Sequence, residues 1–539
     1  MDNTSTLTAE ITTELPCSAS CLLLAEKDAE LEKLQAELKD LKAQLAFRES
    51  EYDKLEKKYR RAKGAANTYK HMLFGQSSEK SSPEEAVPEK PETGAANTAT
   101  DTTPKPKTGR KRGAQPGHKG YGRKIPQDLP VVYRTIEVPE EERFCSVCGQ
   151  ECEVVALTED SSELDVEVKM CQVVTVRQRA KRTCDCEEIP RFVTAPKPPR
   201  SIPKSKFSHN LLALFIVLKF MFSVPLNRIL NLLGLQGETI SAGSVSGAFR
   251  KCLELLEPLY QALAAESRGE KRWNVDETSW MSFTQLPDKK NYLTWMWVFV
   301  SPKVILYIWD SSRSSSVPLA HLGQLVQGFL TADRYGVYKK LARLVPGLTV
   351  AFCWVHFRRD FIRTALSDKT FEPWAKRWQE SIGEIFRLNK AREKDPAQQK
   401  DLEKAIEKME KTIDAELEDP TLNELQRKVL LSAKKHWEGL TVFVAHPEVP
   451  MDNNSAERPL RTVALGRNNY YGTHAQWSSR FTAVCLSLIK TAQLNGLNPQ
   501  QYLRYYLDVC GKAGGVPEDL KPYLPWNLTP QALQEEKPC

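Results

Sequence analysis

No run of apolar residues in this 539-residue chain is long enough to cross a bilayer. The longest, Leu211 to Phe222, is interrupted by Lys219 and falls short of the roughly 20 residues that a spanning helix needs. A secretory leader is not expected either. The opening MDNTSTLTAEITTE is acidic and polar, without a cationic start or apolar centre, so a cytosolic chain with reduced thiols is expected. Nor do the 13 cysteines make a disulfide framework. An odd number with several in tight pairs points instead to a metal site plus scattered core thiols. The net charge of +7 is modest for this length, so any grip on phosphates must come from local cation density. Hydrophobic content of 41% and charged content of 27% are ordinary for folded material, and a length prior of roughly 100 to 200 residues per domain predicts three or four modules.

What is present falls into distinct stretches. Leu24, Leu31, Leu38, Leu45, Tyr52 and Tyr59 recur every seven residues, with Leu34, Leu41 and Leu55 three places after members of that series. This seam predicts a coiled coil over residues 1–75, with a second copy of the chain as the simplest partner; a helix folded back on its own protein is the alternative. Residues 76–125 form a linker too poor in large apolar side chains to order itself. Its second half is basic, carrying Lys105, Lys107, Arg110, Lys111, Arg112, Lys119, Arg123 and Lys124 without an acid. It reads as a DNA-tracking arm or as a solvated charge run. Over 126–200, Cys145-x-x-Cys148-Gly and Cys184-x-Cys186 resemble a small zinc finger, since tetrahedral Zn²⁺ takes four soft ligands from two tight turns. Cys152 or Cys171 can substitute for one ligand, and core thiols are the competing account. Residues 201–268 have helical periodicity and read equally as a helix-turn-helix or as a plain packing module.

From Trp273 the pattern changes. Trp273–Val275, Tyr292–Val300 and Val304–Trp309 are expected as strands, followed by a helix at Val317–Val326, a strand from Gly328 to Asp333, a helix at Val337–Leu344 and a strand at Leu348–Trp354. A β-β-β-α-β-α-β order is that of an RNase H-like fold. It sets Asp276 by the first strand and Asp333 at the end of the fourth, where neighbouring strands bring the two carboxylates together. Paired carboxylates repel each other unless hard cations lie between them. Two such cations, Mg²⁺ or Mn²⁺, can carry out in-line phosphoryl displacement. Glu457 in Asp452-Asn-Asn-Ser-Ala-Glu457 is the candidate third acid, although Asn454 and Glu457 also have the spacing of a capping box. Arg458, Arg461, Arg467 and the Tyr470-Tyr471 pair follow it, suited to phosphates and unpaired bases. His356 is either an auxiliary group that orients a carboxylate or phosphate, or a packed histidine. The catalytic stretch is expected over 269–480 with a helical insertion at 361–442, and a helical tail over 481–539.

The chain is similar to the insertion sequence sixty-six family of transposases along nearly its whole length. The resemblance rests on Met72-Leu-Phe-Gly-Gln-Ser-Ser-Glu-Lys80, Lys111-Arg-Gly-Ala-Gln-Pro-Gly-His-Lys-Gly120, the Cys145/Cys148 finger, Val275-Asp-Glu-Thr278, Asp333-Arg-Tyr-Gly-Val-Tyr338, Cys353-Trp-Val-His356 and Asp452-Asn-Asn-Ser-Ala-Glu-Arg458, in that order. Leu465-Gly-Arg-Asn-Asn-Tyr470 and Ser487-Leu-Ile-Lys-Thr-Ala492 continue it. It implies a DDE enzyme with Asp276, Asp333 and Glu457 as the acids, Mg²⁺ as the ion and terminal inverted repeats and target DNA as substrate. The C-x-C second half of the finger and Pro459 depart from the family pattern. Two rivals are set against this reading. One is a tyrosine recombinase using Arg458, Arg461, His474 and Tyr470 or Tyr471; the other is a non-catalytic DNA-binding protein built from zipper, arm and finger.

Overall fold

The computed structural model describes residues 17–74 and 131–534, with interruptions between 132 and 191, at 238 and at 287–290. The basic arm from Lys105 to Lys124, with the linker before it, lies outside the described residues, as do Cys145, Cys184 and Cys186. By its contacts the chain divides into residues 1–78 with 169–539, and residues 79–168. In the latter unit an antiparallel bridge joins Phe144 to Glu151 across a turn that holds Cys148 and Gly149. The φ of Gly149 is 72°, a conformation that favours glycine, and the Cys148 thiol is exposed.

Helix α1 spans Cys17–Phe74 without a break, as expected where Glu, Lys, Leu, Ala and Gln dominate and no proline intervenes. Leu31, Leu34, Leu38, Leu41, Leu45, Tyr52, Leu55 and Tyr59 are each more than half exposed, so the apolar stripe read from the sequence is left uncovered by the described chain. Strands β1 (Arg179–Lys181) and β2 (Phe192–Thr194) pair antiparallel with Ala180 opposite Val193. Helices α2 (His209–Ile216), α3 (Leu226–Gly234) and α4 (Ala242–Gly269) follow, and Ser208 and Ser241 cap α2 and α4 by accepting the Leu211 and Ser244 amides. On α4, Val245, Phe249, Cys252, Leu256, Leu259 and Leu263 recur at helical spacing and are buried.

The central sheet is built from β3 (Arg272–Met281), β4 (Leu293–Val300), β5 (Ile305–Asp310), β6 (Gly328–Ala332) and β7 (Leu348–Phe352) in the order β5-β4-β3-β6-β7. The first three form an antiparallel meander; β6 and β7 run parallel to β3. Helix α5 (Ser316–Leu322) leads into β6 and α6 (Gly336–Leu344) links β6 to β7, giving the element order expected from the sequence. Two lengths differ. Strand β3 continues past Val275 through Asp-Glu-Thr-Ser because β4 pairs with it as far as Met281 opposite Leu293. Its polar outer half lacks the apolar pattern that marks a strand, but the partner strand supplies Trp295 and Trp297 opposite Ser279 and Glu277. Helix α5 stops at Leu322, before the expected Val326, and is closed by Gly323.

After β7 the chain is helical as far as Ala445, in α7 (Trp354–Ser367), α8 (Glu372–Lys394), α9 (Gln399–Glu418), α10 (Glu424–Lys435) and α11 (Trp437–Ala445). Phe361 stacks on Trp378 with ring centroids 5.1 Å apart, and buried Arg392 donates to the Val444 carbonyl at 2.9 Å, tying α8 to α11. Then come α12 (Asn454–Tyr470), α13 (Gln476–Leu494) and α14 (Pro499–Ala513). The tail boundary read at 480 falls inside α13, which no glycine or proline interrupts. That helix serves the outer border of β5: Ser487 Oγ accepts the Tyr307 amide at 2.8 Å, and Thr491 Oγ1 both accepts the Ile305 amide and donates to its carbonyl, each at 3.1 Å. No described helix is long and apolar enough to cross a membrane.

Between α12 and α13 the chain returns to the end of β3, where the Thr473 amide donates to the Met281 carbonyl at 3.0 Å. Gly472 makes this approach possible, with φ at 151° and a position where a Cβ would lie 2.0 Å from the Met281 oxygen. Gly472→Ala is therefore expected to lower the unfolding free energy by about 2–4 kcal/mol, measured by chemical denaturation against the parent.

Candidate active site

The site is set first by strand register. β3 and β6 pair in parallel with Arg272 opposite Phe329, Trp273 opposite Leu330 and Asn274 opposite Thr331. Two residues further on each side stand Asp276 and Asp333. Asp276 lies within β3 and Asp333 is the first residue after β6, close enough for the Asp333 charge to act on the Asp276 carboxyl. Burial pushes the Asp276 carboxyl up to about 7, and the charges of Glu277, Asp333 and Glu457 add to the shift while a hydrogen bond from the Glu277 amide opposes it. The Asp333 carboxylate accepts the Tyr335 amide at 2.9 Å, which orients it at the turn into α6.

Glu457, the candidate third acid, is carried by the first turn of α12, whose start is fastened to β3 and to the loop after β7. Asn453, 1% exposed, donates its side-chain amide to the Val275 carbonyl at 2.8 Å and accepts from the Asn274 amide at 3.0 Å. Its backbone N–H donates to Cys353 Sγ at 3.2 Å, and the Trp354 amide donates to the Met451 carbonyl at 2.8 Å. The strand residue just before Asp276 and the loop after β7 thus fix where α12 begins, and Glu457 lies one turn along it. The capping-box alternative does not form: Asn453 is the cap residue and makes no side-chain capping bond, while the Asn454 amide is taken by Asp452 at 3.0 Å. Glu457 Oε1 is buried with no hydrogen-bond partner among the described residues. His356 Nδ1 lies 3.8 Å from it, and burial lowers that imidazole below its ordinary value, which favours the neutral ring.

Glu277 is a member of this neighbourhood to which the sequence reading gave no role. Strand alternation turns it to the face opposite Asp276. There its side chain, 2% exposed, takes an ion pair from Arg313 at 2.9 Å and a short hydrogen bond from the Tyr338 hydroxyl. Burial raises its carboxyl, against the opposing pull of Tyr338 and Arg313. The Arg313 guanidinium is sandwiched 4.5 Å from the ring centres of both Trp295 and Tyr335. The only signal in the sequence is an acid that alternation sends into the core, where it needs a partner; the arginine lies 36 residues away.

The arginines near Glu457 separate by environment. Arg458 and Arg461 are exposed. Arg467 instead points at β3, donating to the Ser279 carbonyl at 2.7 Å and to Thr278 Oγ1 at 3.3 Å, and so braces α12 against the strand of Asp276. Tyr470 packs on Trp280 and under the Lys219 ammonium, 4.2 Å above its ring, and burial pushes its hydroxyl well up, which does not suit a nucleophile. Tyr471 is exposed, and His474 stacks on Phe283.

Asp276, Asp333 and Glu457 offer carboxylate oxygens, the donors preferred by Mg²⁺ or Mn²⁺. Asp276, raised by burial and by the charges of Glu277, Asp333 and Glu457, is where a bound cation would offset the most negative charge.

Residues 204–480, just over half of the chain, match the family model described as Transposase IS66 family. Among similar proteins are three of Sinorhizobium fredii (strain NBRC 101917 / NGR234). The uncharacterized protein y4jD is 27% identical over 444 residues, covering 77% of this chain and 83% of its own length. The uncharacterized protein y4hP is 27% identical over 432 residues, 74% of this chain and 76% of its own, and y4qI is 24% identical over the same shares.

Proposed function

Since the chain belongs to the IS66 family of transposases, we propose that it cuts and joins DNA by metal-dependent phosphoryl transfer in an RNase H-like domain, with Asp276, Asp333 and Glu457 as the acids that hold the metal. The observation that supports this reading is the charge of Asp333, just past the end of β6, acting on the Asp276 carboxyl of the neighbouring strand β3. Divalent ions bound there would activate a water or a 3′ hydroxyl and stabilise the leaving oxygen of an in-line displacement. The protein's own part is positioning. Asn453 and Arg467 hold α12, the helix that carries Glu457, on β3. Arg458 and Arg461, exposed on the same helix, face DNA phosphates.

The remaining modules serve the substrate. The basic arm tracks the duplex with Lys105, Lys107, Arg110, Lys111, Arg112, Lys119, Arg123 and Lys124. Zinc is the ion that suits the cysteine pairs Cys145/Cys148 and Cys184/Cys186. The uncovered stripe of α1 pairs with that of a second copy, which lets one assembly hold two terminal inverted repeats.

The test uses the full chain with duplexes taken from the sequences that bracket its gene. Mg²⁺ or Mn²⁺ is expected to support cleavage that frees 3′ hydroxyls, followed by their joining to target DNA, with no protein left on the ends. Binding without any metal-dependent cut would favour the non-catalytic reading, and a phosphotyrosine adduct would favour the recombinase.

A further inference from the structure

Cys353 closes β7 as the residue before α7, and His356 lies in the first turn of α7. With Glu457 of α12 they offer a sulfur, a ring nitrogen and a carboxylate oxygen that all lie within 4.8 Å of one another. Cys353 is 1% exposed. His356 Nδ1 and Glu457 Oε1 are both buried without a hydrogen-bond partner, and at 3.8 Å they stand too far apart to satisfy each other. Buried polar atoms are rarely left so, and two of them facing across one gap beside a thiol need an explanation.

Ligands around a tetrahedral ion with bonds of about 2.0–2.3 Å sit roughly 3.3–3.8 Å apart, close to the spacing of this pair. The donors are mixed. Sulfur and imidazole suit zinc-class ions, whereas Mg²⁺ and Mn²⁺ prefer all-oxygen sets, so this group selects a different metal from the three carboxylates. The Asn453 N–H already donates to the Cys353 sulfur, a bond that a thiolate would strengthen, and the position opposite the three ligands is left to water.

We propose that Cys353, His356 and Glu457 form a binding site for a zinc-class divalent ion, and that its occupancy draws Glu457 away from Asp276 and Asp333. One side chain then belongs to two mutually exclusive metal sites, and zinc acts as an antagonist of the Mg²⁺-dependent reaction. The binding site stands on its own geometry; the antagonism rests on the reading of Glu457 as the third acid.

The probe is Co²⁺ titrated into the metal-stripped full chain, with bound metal counted and the sulfur-to-cobalt charge-transfer absorption recorded. The parent is compared with Cys353→Ser, which keeps a hydrogen-bond acceptor for Asn453, and with His356→Gln, which does not depend on tolerance at the buried thiol. Thiols of the expected finger contribute equally to all three and cancel in the difference. The parent should bind about one more ion per chain than either variant, and Cys353→Ser should lose part of the charge-transfer band. Glu457→Gln should keep the band but weaken cobalt binding by about 10–100-fold. Equal stoichiometry and equal absorption in parent and His356→Gln would overturn the site. In a second arm, Zn²⁺ is titrated against Mg²⁺-supported cleavage, each protein measured relative to its own zinc-free rate. Cys353→Ser should need at least about tenfold more zinc for half inhibition. An unchanged value would remove the antagonism, while a parent that cleaves nothing would defeat the transposase reading and leave the cobalt result to decide the site.

Discussion

Asp276→Asn, Asp333→Asn or Glu457→Gln is expected to reduce Mg²⁺-dependent cleavage by about three orders of magnitude or more, because each removes a ligand whose loss removes several kcal/mol of transition-state stabilisation. DNA retention in the absence of cleavage should be unchanged. A variant of any of the three that still cuts near the parental rate would remove that residue from the site. Asp276→Asn carries a second consequence that separates charge from catalysis. The folded protein lifts this carboxyl from 3.8 to about 7, so it holds its proton more tightly than the unfolded chain does. The resulting destabilisation is absent below about pH 4, grows as pH rises towards 7 and is complete above it. At pH 8 and without metal, the asparagine variant should thus be more stable than the parent, by at most about 4 kcal/mol. Saturating Mg²⁺ should erase or reverse that order, since the ion binds the folded parent more strongly than the variant. Chemical denaturation at pH 5 and pH 8, with and without Mg²⁺, measures both parts.

The second large effect is expected at Asn453, which touches no reacting group. Its truncation in Asn453→Ala leaves the Val275 carbonyl and the Asn274 amide without their closest side-chain partner in a buried place. That should lower stability by about 2–4 kcal/mol. Activity should suffer beyond the folding loss. The start of α12 would no longer be tied to the residue before Asp276, and a displacement of Glu457 by about 1 Å is enough for roughly a hundredfold fall in rate. The Mg²⁺ concentration needed for half-maximal cleavage should rise in the same variant. A folded Asn453→Ala protein with parental rate and parental Mg²⁺ dependence would show that α12 is held in place without this tie.

How far the sequence was legible follows from the range of the forces involved. The meander and the two crossover units came through because β4, β5, β6 and β7 are short runs of apolar and aromatic residues bounded by turns, a local signal. Placing Asp276 and Asp333 together needed only strand order, which extends from that signal. The length of β3 was not legible, because what extends it lies on the partner strand. The duty of Asn453 was hidden for a related reason: Asn-Asn-Ser-Ala-Glu has the local look of a helix cap, and only the folded chain brings Val275 and Cys353, 178 and 100 positions away, to compete for its groups. Arg467 was grouped with Arg458 and Arg461 by its charge. Helical phase alone did not distinguish the two exposed cations from the one that meets β3.

The hydroxyls of Ser487 and Thr491 have a further meaning for how copies of this chain can meet. A sheet margin with free amides invites a neighbour's backbone to continue the ladder, and crowding many identical chains along DNA would favour such contacts. Here three backbone groups of the edge strand β5, the Tyr307 amide and the Ile305 amide and carbonyl, are already answered by side chains on α13, so that margin offers a newcomer a broken row of partners. Association by strand addition through this side is thereby discouraged.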